Sequence, residues 1–328
     1  MVLSGSCLSN MLSRCSSTSQ LRWPLSRSSS DRAKVLLPTC RGPLQGPEEI
    51  LRVDNKVREA LKLSHRGGAM VQPWARRKTA ADRGVDLTLE YAFDARETPR
   101  RQMLLAIEQP RRFAVTLNGH AIDTEVGAGY WTDRSLRTLR VDPAIVRRGE
   151  NRLTLTCRYT EGHPGLEIVY LLGDFGVEVT GTAVSLTAPP ETLAAGDWTA
   201  QGLPFYGGSV TYLAEINPRI DKGEKAVVAL NGYDGVAARI LVDGKEAGVV
   251  GWEPHEVDIT RLLCGRPVTL GVEILGHRRN SHGPLHLTDK RPGWTGPGEF
   301  KTSGDKWTDD YSLVPCGLRA APTVKIVR

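Results

Sequence analysis

The hydrophobic period of this 328-residue chain changes at Asp86, and the change constrains the fold more than any single residue does. From there Leu87, Leu89 and Tyr91 alternate with Asp86, Thr88 and Glu90, a period of two that places the apolar set on one face of a half-buried strand. Met103–Glu108, Phe113–Leu117, Leu136–Val141, Leu153–Cys157 and Ile168–Leu172 repeat the pattern, separated by Pro, Gly or Asn clusters. After Pro189-Pro190 it resumes over Val210–Ile216, Ala226–Leu230, Ala238–Val242, Ala247–Val250, Val268–Leu275, Tyr311–Val314 and Val324–Val327. Many short strands between turns predict an all-β chain of two sandwiches.

The two halves share a weak internal repeat. Phe113–Gly119 resembles Ala238–Gly244, Val141–Val146 resembles Val257–Leu262, and Asn151–Tyr159 resembles Arg266–Ile274. Asn118-Gly119 and Asp243-Gly244 each suit a two-residue hairpin, whose central positions both need positive φ. A recurring order of strand, tight turn, short helical turn and strand argues for duplicated sandwiches over 86–188 and 189–328.

Ahead of them lie a leader, 1–46, and a helix with a connector, 47–85. Residues 1–30 carry eleven serines, three arginines and no acid, which predicts disorder. The same composition suits an organellar transit peptide, and a reading frame that begins inside a larger gene is a further alternative. Met1–Leu12 has neither a basic start nor an apolar stretch for a secretory signal. Ile50, Val53, Val57 and Leu61 fall at helical spacing, with Pro47 expected in the first turn and Glu48 and Glu49 at its positive end. Met70–Trp74 is expected to be an extended connector.

Charge narrows the partners. The formal net charge is +6, but residues 1–46 hold six Lys/Arg and one acid, so the remainder is close to neutral. That argues against a nucleic-acid footprint. No run of 18 apolar residues predicts a membrane span, and no Cys or His spacing marks a metal site. Cys157, inside a strand pattern, is expected to be a small buried hydrophobe.

The hairpin ending in Val-Asp-Gly or Leu-Asn-Gly, the following Asp-Ile-Thr turn and the alternating strand resemble the galactose-binding-like jelly roll of glycoside hydrolase family 2. Leu203–Tyr212 and Arg279–His286 resemble the C-terminal region of large bacterial glycoside-hydrolase-like proteins related to α-L-rhamnosidases. Glu108-Gln109-Pro110, Tyr170–Gly176 and Asp309–Pro315 resemble it too, so that the likeness covers about 47–328. It implies two consecutive galactose-binding-like jelly-roll sandwiches, preceded by a short helix and a disordered leader. It also implies a catalytic barrel N-terminal to these modules. A barrel needs about 250 residues, so the chain is expected to be a fragment, and the parent's barrel an expected partner. Such jelly rolls often carry a structural calcium ion, although no EF-hand-like acidic loop is present.

The function expected is therefore non-catalytic and carbohydrate-associated, either sugar binding or scaffolding. Sugar binding asks for an aromatic platform and planar polar side chains that bond vicinal hydroxyls. His277, Arg279 and Asn280 follow a strand in a loop at the sandwich end, Trp252 lies in another loop, and Trp294 and Trp307 lie in the long Gly/Pro-rich excursion 288–309. Tyr206, in Pro204–Gly208, completes the ligand-binding candidates. Tyr130, Trp131 and Arg134 form a thinner set in the first module. Two alternatives stay open: hydrolysis by carboxylates beside aromatics, such as Asp133 or Asp309-Asp310, and modules that bind nothing. No catalytic residue is assigned.

Overall fold

A computed structural model describes residues 22–26, 33–37, 39–41, 47–65, 84–290 and 293–328. The rest of the leader and the expected connector at 70–74 lie outside the described residues. Among the described residues the chain is all-β, with short helical segments only, and it forms two compact units.

The first unit comprises residues 32–189 and 281–313. One of its sheets runs in the order Gly176–Thr180, Ala183–Thr187, Val85–Ala95, Gly149–Tyr159, Ala114–Leu117, His120–Ile122. The other runs Ala33–Leu37, Val169–Gly173, Met103–Glu108, Asp133–Val141, Gly129–Trp131. Along Val85–Ala95 the residues Leu87, Leu89, Tyr91, Phe93 and Ala95 are all buried while their neighbours are not, as a period of two requires. Each large side chain buried this way contributes roughly 1.5–3 kcal/mol.

The second unit comprises 190–280 and 314–328, with the strand Arg22–Ser26. Its larger sheet runs Thr192–Ala194, Arg22–Ser26, Ser209–Ile216, Val268–Leu275, Ala237–Val242, Lys245–Val250, and a smaller one runs Glu256–Asp258, Lys225–Ala229, Thr323–Val327. The two larger sheets share a four-strand order: Val85–Ala95, Gly149–Tyr159, Ala114–Leu117, His120–Ile122 corresponds to Ser209–Ile216, Val268–Leu275, Ala237–Val242, Lys245–Val250.

The repeat has a chemical basis. Asn118 and Gly119 have φ of 51° and 84°, and Asp243 and Gly244 have 47° and 76°. Asn118 Oδ1 accepts from the Arg152 backbone N–H at 2.9 Å, and Asp243 Oδ1 accepts from Thr269 N–H at 2.8 Å, so each turn is bolted to the corresponding later strand of its own unit. Asp142 caps the 3₁₀ turn Pro143–Ile145 through the Ala144 N–H, and Asp258, one residue before the N-cap Ile259, accepts from the first N–H of Thr260–Leu262, both at 2.9 Å.

Four particulars add to the expectations. Within the leader the described segments are extended: Arg22–Ser26 pairs with Thr192–Ala194 and Ser209–Ile216, Ala33–Leu37 with Val169–Gly173, and Thr39–Arg41 with Pro47–Glu49. An edge strand offers unpaired N–H and C=O groups, which an extended segment satisfies together with its own. The helix spans Ile50–Ala60, and Pro47 lies before it in a strand; Glu49 is the N-cap, accepting from Leu51 and Arg52 N–H at 2.9 and 3.1 Å. Tyr311–Val314 is not a strand, because Asn280 binds both backbone groups of Val314, and the Ser312 N–H and hydroxyl go to the carbonyls of Leu285 and Leu287. The segment 281–313, which holds the excursion 288–309, belongs to the first unit, where the His282 ring stacks on Tyr170 and lies 4.9 Å from Trp131.

Candidate functional site at one end of the first sandwich

The side chains expected to bind ligand divide between the units: Tyr206, Trp252, His277, Arg279 and Asn280 in the second, Trp294 and Trp307 in the first. Asn280 is buried, with its amide donating to and accepting from Val314 at 2.8 Å each. His277 Nε2 lies 3.1 Å from the Pro315 carbonyl oxygen, and Arg279 is half-buried. Tyr206 is a core residue whose hydroxyl donates to the Ser209 carbonyl at 3.0 Å and whose ring meets Trp198 edge-on. Trp307 stacks on His286 at 4.9 Å, donates to Asp309 at 3.0 Å and has the Arg52 guanidinium 5.0 Å from its ring. Trp252 and Trp294 stand 83% and 76% exposed.

Asp133 Oδ1 accepts the Ser135 N–H at 2.7 Å, and that bond holds its carboxyl below the usual carboxylate range. A general acid needs the opposite shift. Asp309 is committed to Trp307 and lies 3.6 Å from Arg52. Burial pushes the Cys157 thiol up to about 11, as suits an inert packing residue. Among the described residues no three His, Cys, Asp or Glu side chains gather as a metal site, and no helix is long and apolar enough to cross a membrane.

A different set of residues converges in the first unit. The connection after Met103–Glu108, the loop after His120–Ile122 and the middle of Asp133–Val141 line an open groove of about 570 Å³, bordered by Arg111, Arg112, Glu125, Gly127 and Arg137 together with Gln109, Pro110 and Thr124. Its geometry arises from local sequence. Gln109 adopts a left-handed conformation (φ 46°) and Pro110 starts a 3₁₀ turn, closed by Arg112 N–H to the Gln109 carbonyl at 3.0 Å. Pro110 and Phe113 are buried, so the turn is anchored and Arg111 and Arg112 project outward. Asp123 Oδ1 takes the N–H groups of Glu125 and Val126, shaping the second wall.

The floor comes from an irregular strand. Asp133 pairs with Trp131, but Arg137 pairs with Tyr130, so three extra residues bulge between them. A bulge re-aims the side chains beyond it, here bringing Arg137 into the groove while Leu136 is buried. Tyr130 stands directly across from Arg137, hence on the same face, and is 57% exposed. Trp131 takes the other direction, 4.9 Å from the Tyr170 ring.

Charge in the groove is lopsided. Arg111 Nε meets Glu125 Oε2 at 3.1 Å. Arg112 bonds Gln109 Oε1, and neither Arg112 nor Arg137 has an ion-pair partner among the described residues. In the sequence this module ranks below the other because its donors lie in three separate segments and the bulge has no sequence mark. Pro110-Arg111-Arg112 after a strand is the signal available there.

No protein-family model and no curated protein matches the chain. Among solved structures it is similar to the rhamnosidase from Novosphingobium sp. PP1Y, with 14% identity, coverage of 83% of this chain and 26% of that one, and a TM-score of 0.31. For the Streptomyces avermitilis α-L-rhamnosidase complexed with L-rhamnose the identity is 10%, coverage 86% and 27%, and TM-score 0.29. For the β-glucuronidase from Ruminococcus gnavus in complex with a C6-substituted uronic isofagomine they are 12%, 73% and 41%, and 0.27. The chain thus spans 26–41% of the length of these proteins.

Proposed function

We propose that the chain is a non-catalytic carbohydrate-binding protein whose first sandwich takes a glycan in the groove of Arg111, Arg112 and Arg137. One observation carries the reading: two guanidinium groups without ion-pair partners among the described residues face an open groove, with the exposed Tyr130 ring across the strand pair from one of them. A guanidinium presents its N–H donors in a fixed plane and bonds adjacent oxygens of one sugar. The Tyr130 ring, paired across the strands with Arg137 and outside the lining itself, offers a face for the sugar's C–H groups. The site lies among loops at a sandwich end, supported by two sheets, where binding residues concentrate.

Calorimetric titration of the full chain with plant and bacterial oligosaccharides tests this, with hydrolysis products assayed in the same samples. Binding without turnover is expected, with affinity falling about tenfold or more in Arg137→Ala and Tyr130→Ala and unchanged in Trp252→Ala. Turnover would refute the non-catalytic reading. Silence across the panel would favour modules that serve only as a scaffold, and loss of binding in Trp252→Ala alone would move the site to the other unit.

A further inference from the structure

We infer that the groove selects acidic glycans, holding a uronate carboxylate or a sulfate half-ester between Arg112 and Arg137; this rests on the glycan-binding reading above. The balance of donors and acceptors decides the ligand class. A neutral sugar hydroxyl both donates and accepts, so a site for neutral sugars has to supply acceptors as well as donors. This groove supplies few. Its one carboxylate, Glu125, is held by Arg111 at 3.1 Å, and the side-chain carbonyl oxygen of Gln109 is taken by Arg112. Thr124 is the remaining hydroxyl in the lining.

Three arginines against one glutamate leave a net excess of positive charge. The lining therefore fits a ligand group that only accepts, carries negative charge and is flat or compact enough for two forks, which describes a carboxylate or sulfate. Glu108, next along the chain, faces the small neighbouring cavity with Arg112, and its Oε1 lies 3.4 Å from Ser135 Oγ. The backbone of Gly127 runs past the Arg137 guanidinium, where a Cβ would stand 3.7 Å from Nη2, so one side of that guanidinium is backed by protein. The charge is local: residues 47–328 are near neutral, whereas a nucleic-acid surface needs several phosphate contacts spread along it.

The test titrates the full chain with polygalacturonate and its fully methyl-esterified form, with dextran sulfate and dextran, and with a single-stranded DNA oligonucleotide. At least one acidic polymer is expected to bind about tenfold or more tightly than its neutral counterpart, with affinity falling as salt is raised. Arg112→Gln and Arg137→Gln are each expected to erase that preference, while Arg137→Lys, which keeps the charge and loses the fork, erases it in part. Both glutamine variants alter exposed side chains, and an unchanged melting temperature shows that they are folded. Equal binding of acidic and neutral forms would overturn the acid selectivity and leave glycan binding standing. Failure of all four polysaccharides would remove both readings. Full binding by Arg137→Gln would place the site elsewhere, and DNA competing as well as the acidic polymer would replace the glycan with a nucleic acid.

Discussion

Replacing Asp54 with alanine should unfasten the helix Ile50–Ala60 from the first sandwich. Asp54 is fully buried and, among its partners, accepts at 2.8 Å each from Arg58 Nε one turn on, from the Tyr159 hydroxyl and from the Leu166 backbone N–H. Arg58 is itself 1% exposed, and its Nη2 has no hydrogen-bond partner. Removing the carboxylate leaves that guanidinium charged and buried, which costs about 3–5 kcal/mol when one member of such a pair is deleted. In Asp54→Ala/Arg58→Met the charge is gone and a flexible apolar chain fills part of the space. What remains is the loss of the two hydrogen bonds that Asp54 accepts from the Tyr159 hydroxyl and the Leu166 N–H, about 0.5–1.5 kcal/mol each. The double variant should therefore be more stable than the single one. Urea unfolding gives the difference in free energy, and hydrogen exchange over 50–60 and 149–159 locates it. A loss below about 1 kcal/mol in Asp54→Ala, or a double variant no better than the single, would refute the claim that an uncompensated buried charge dominates.

The repeated turns make an asymmetric prediction. Asp243→Asn should cost at most about 1 kcal/mol, since Oδ1 still accepts from Thr269 and what is lost is the exposed ion pair of Oδ2 with Arg266 at 2.9 Å. Asn118→Asp should cost about 1–3 kcal/mol, because Nδ2 donates to the Ile145 carbonyl and Asn151 Oδ1 at 2.8 Å, and a carboxylate offers them no proton; urea midpoints compare the two. His286 is buried, which lowers its pKa from 6.5. The unfolded chain then binds the proton more readily, so its contribution to stability is present above about pH 6.5 and is lost as pH falls through the folded-state pKa; His286→Gln should flatten that part of a pH series of melting temperatures. Trp252→Ala and Trp294→Ala change rings that are mostly exposed, so each should shift stability by less than about 0.5 kcal/mol in the same assay.

The fold is legible in the sequence because strand alternation and positive-φ turns are local signals. Leu87, Leu89 and Tyr91 announce their face by spacing alone, and Asn118-Gly119 and Asp243-Gly244 announce their turns by residue type. Where local and non-local terms compete, reading fails. Tyr311–Val314 has strand-like composition, yet Asn280, 34 residues earlier, takes Val314's hydrogen bonds. In the helix Ile50–Ala60, Asp54 and Arg58 interrupt the apolar stripe as solvent-facing charges would, yet both are buried, bonded to each other and, through Asp54, to Tyr159 over a hundred residues on. The groove is the extreme case. Clustered donors such as His277–Asn280 attract notice in a sequence because they are adjacent, but adjacency along a chain also suits residues that bolt a loop in place, as Asn280 does. Arg112 and Arg137 are 25 positions apart and meet through a 3₁₀ turn and a bulge. A side chain spent on its own backbone has little left for a ligand, so cations that sequence disperses and folding gathers without ion-pair partners among the described residues are the better evidence of a binding site.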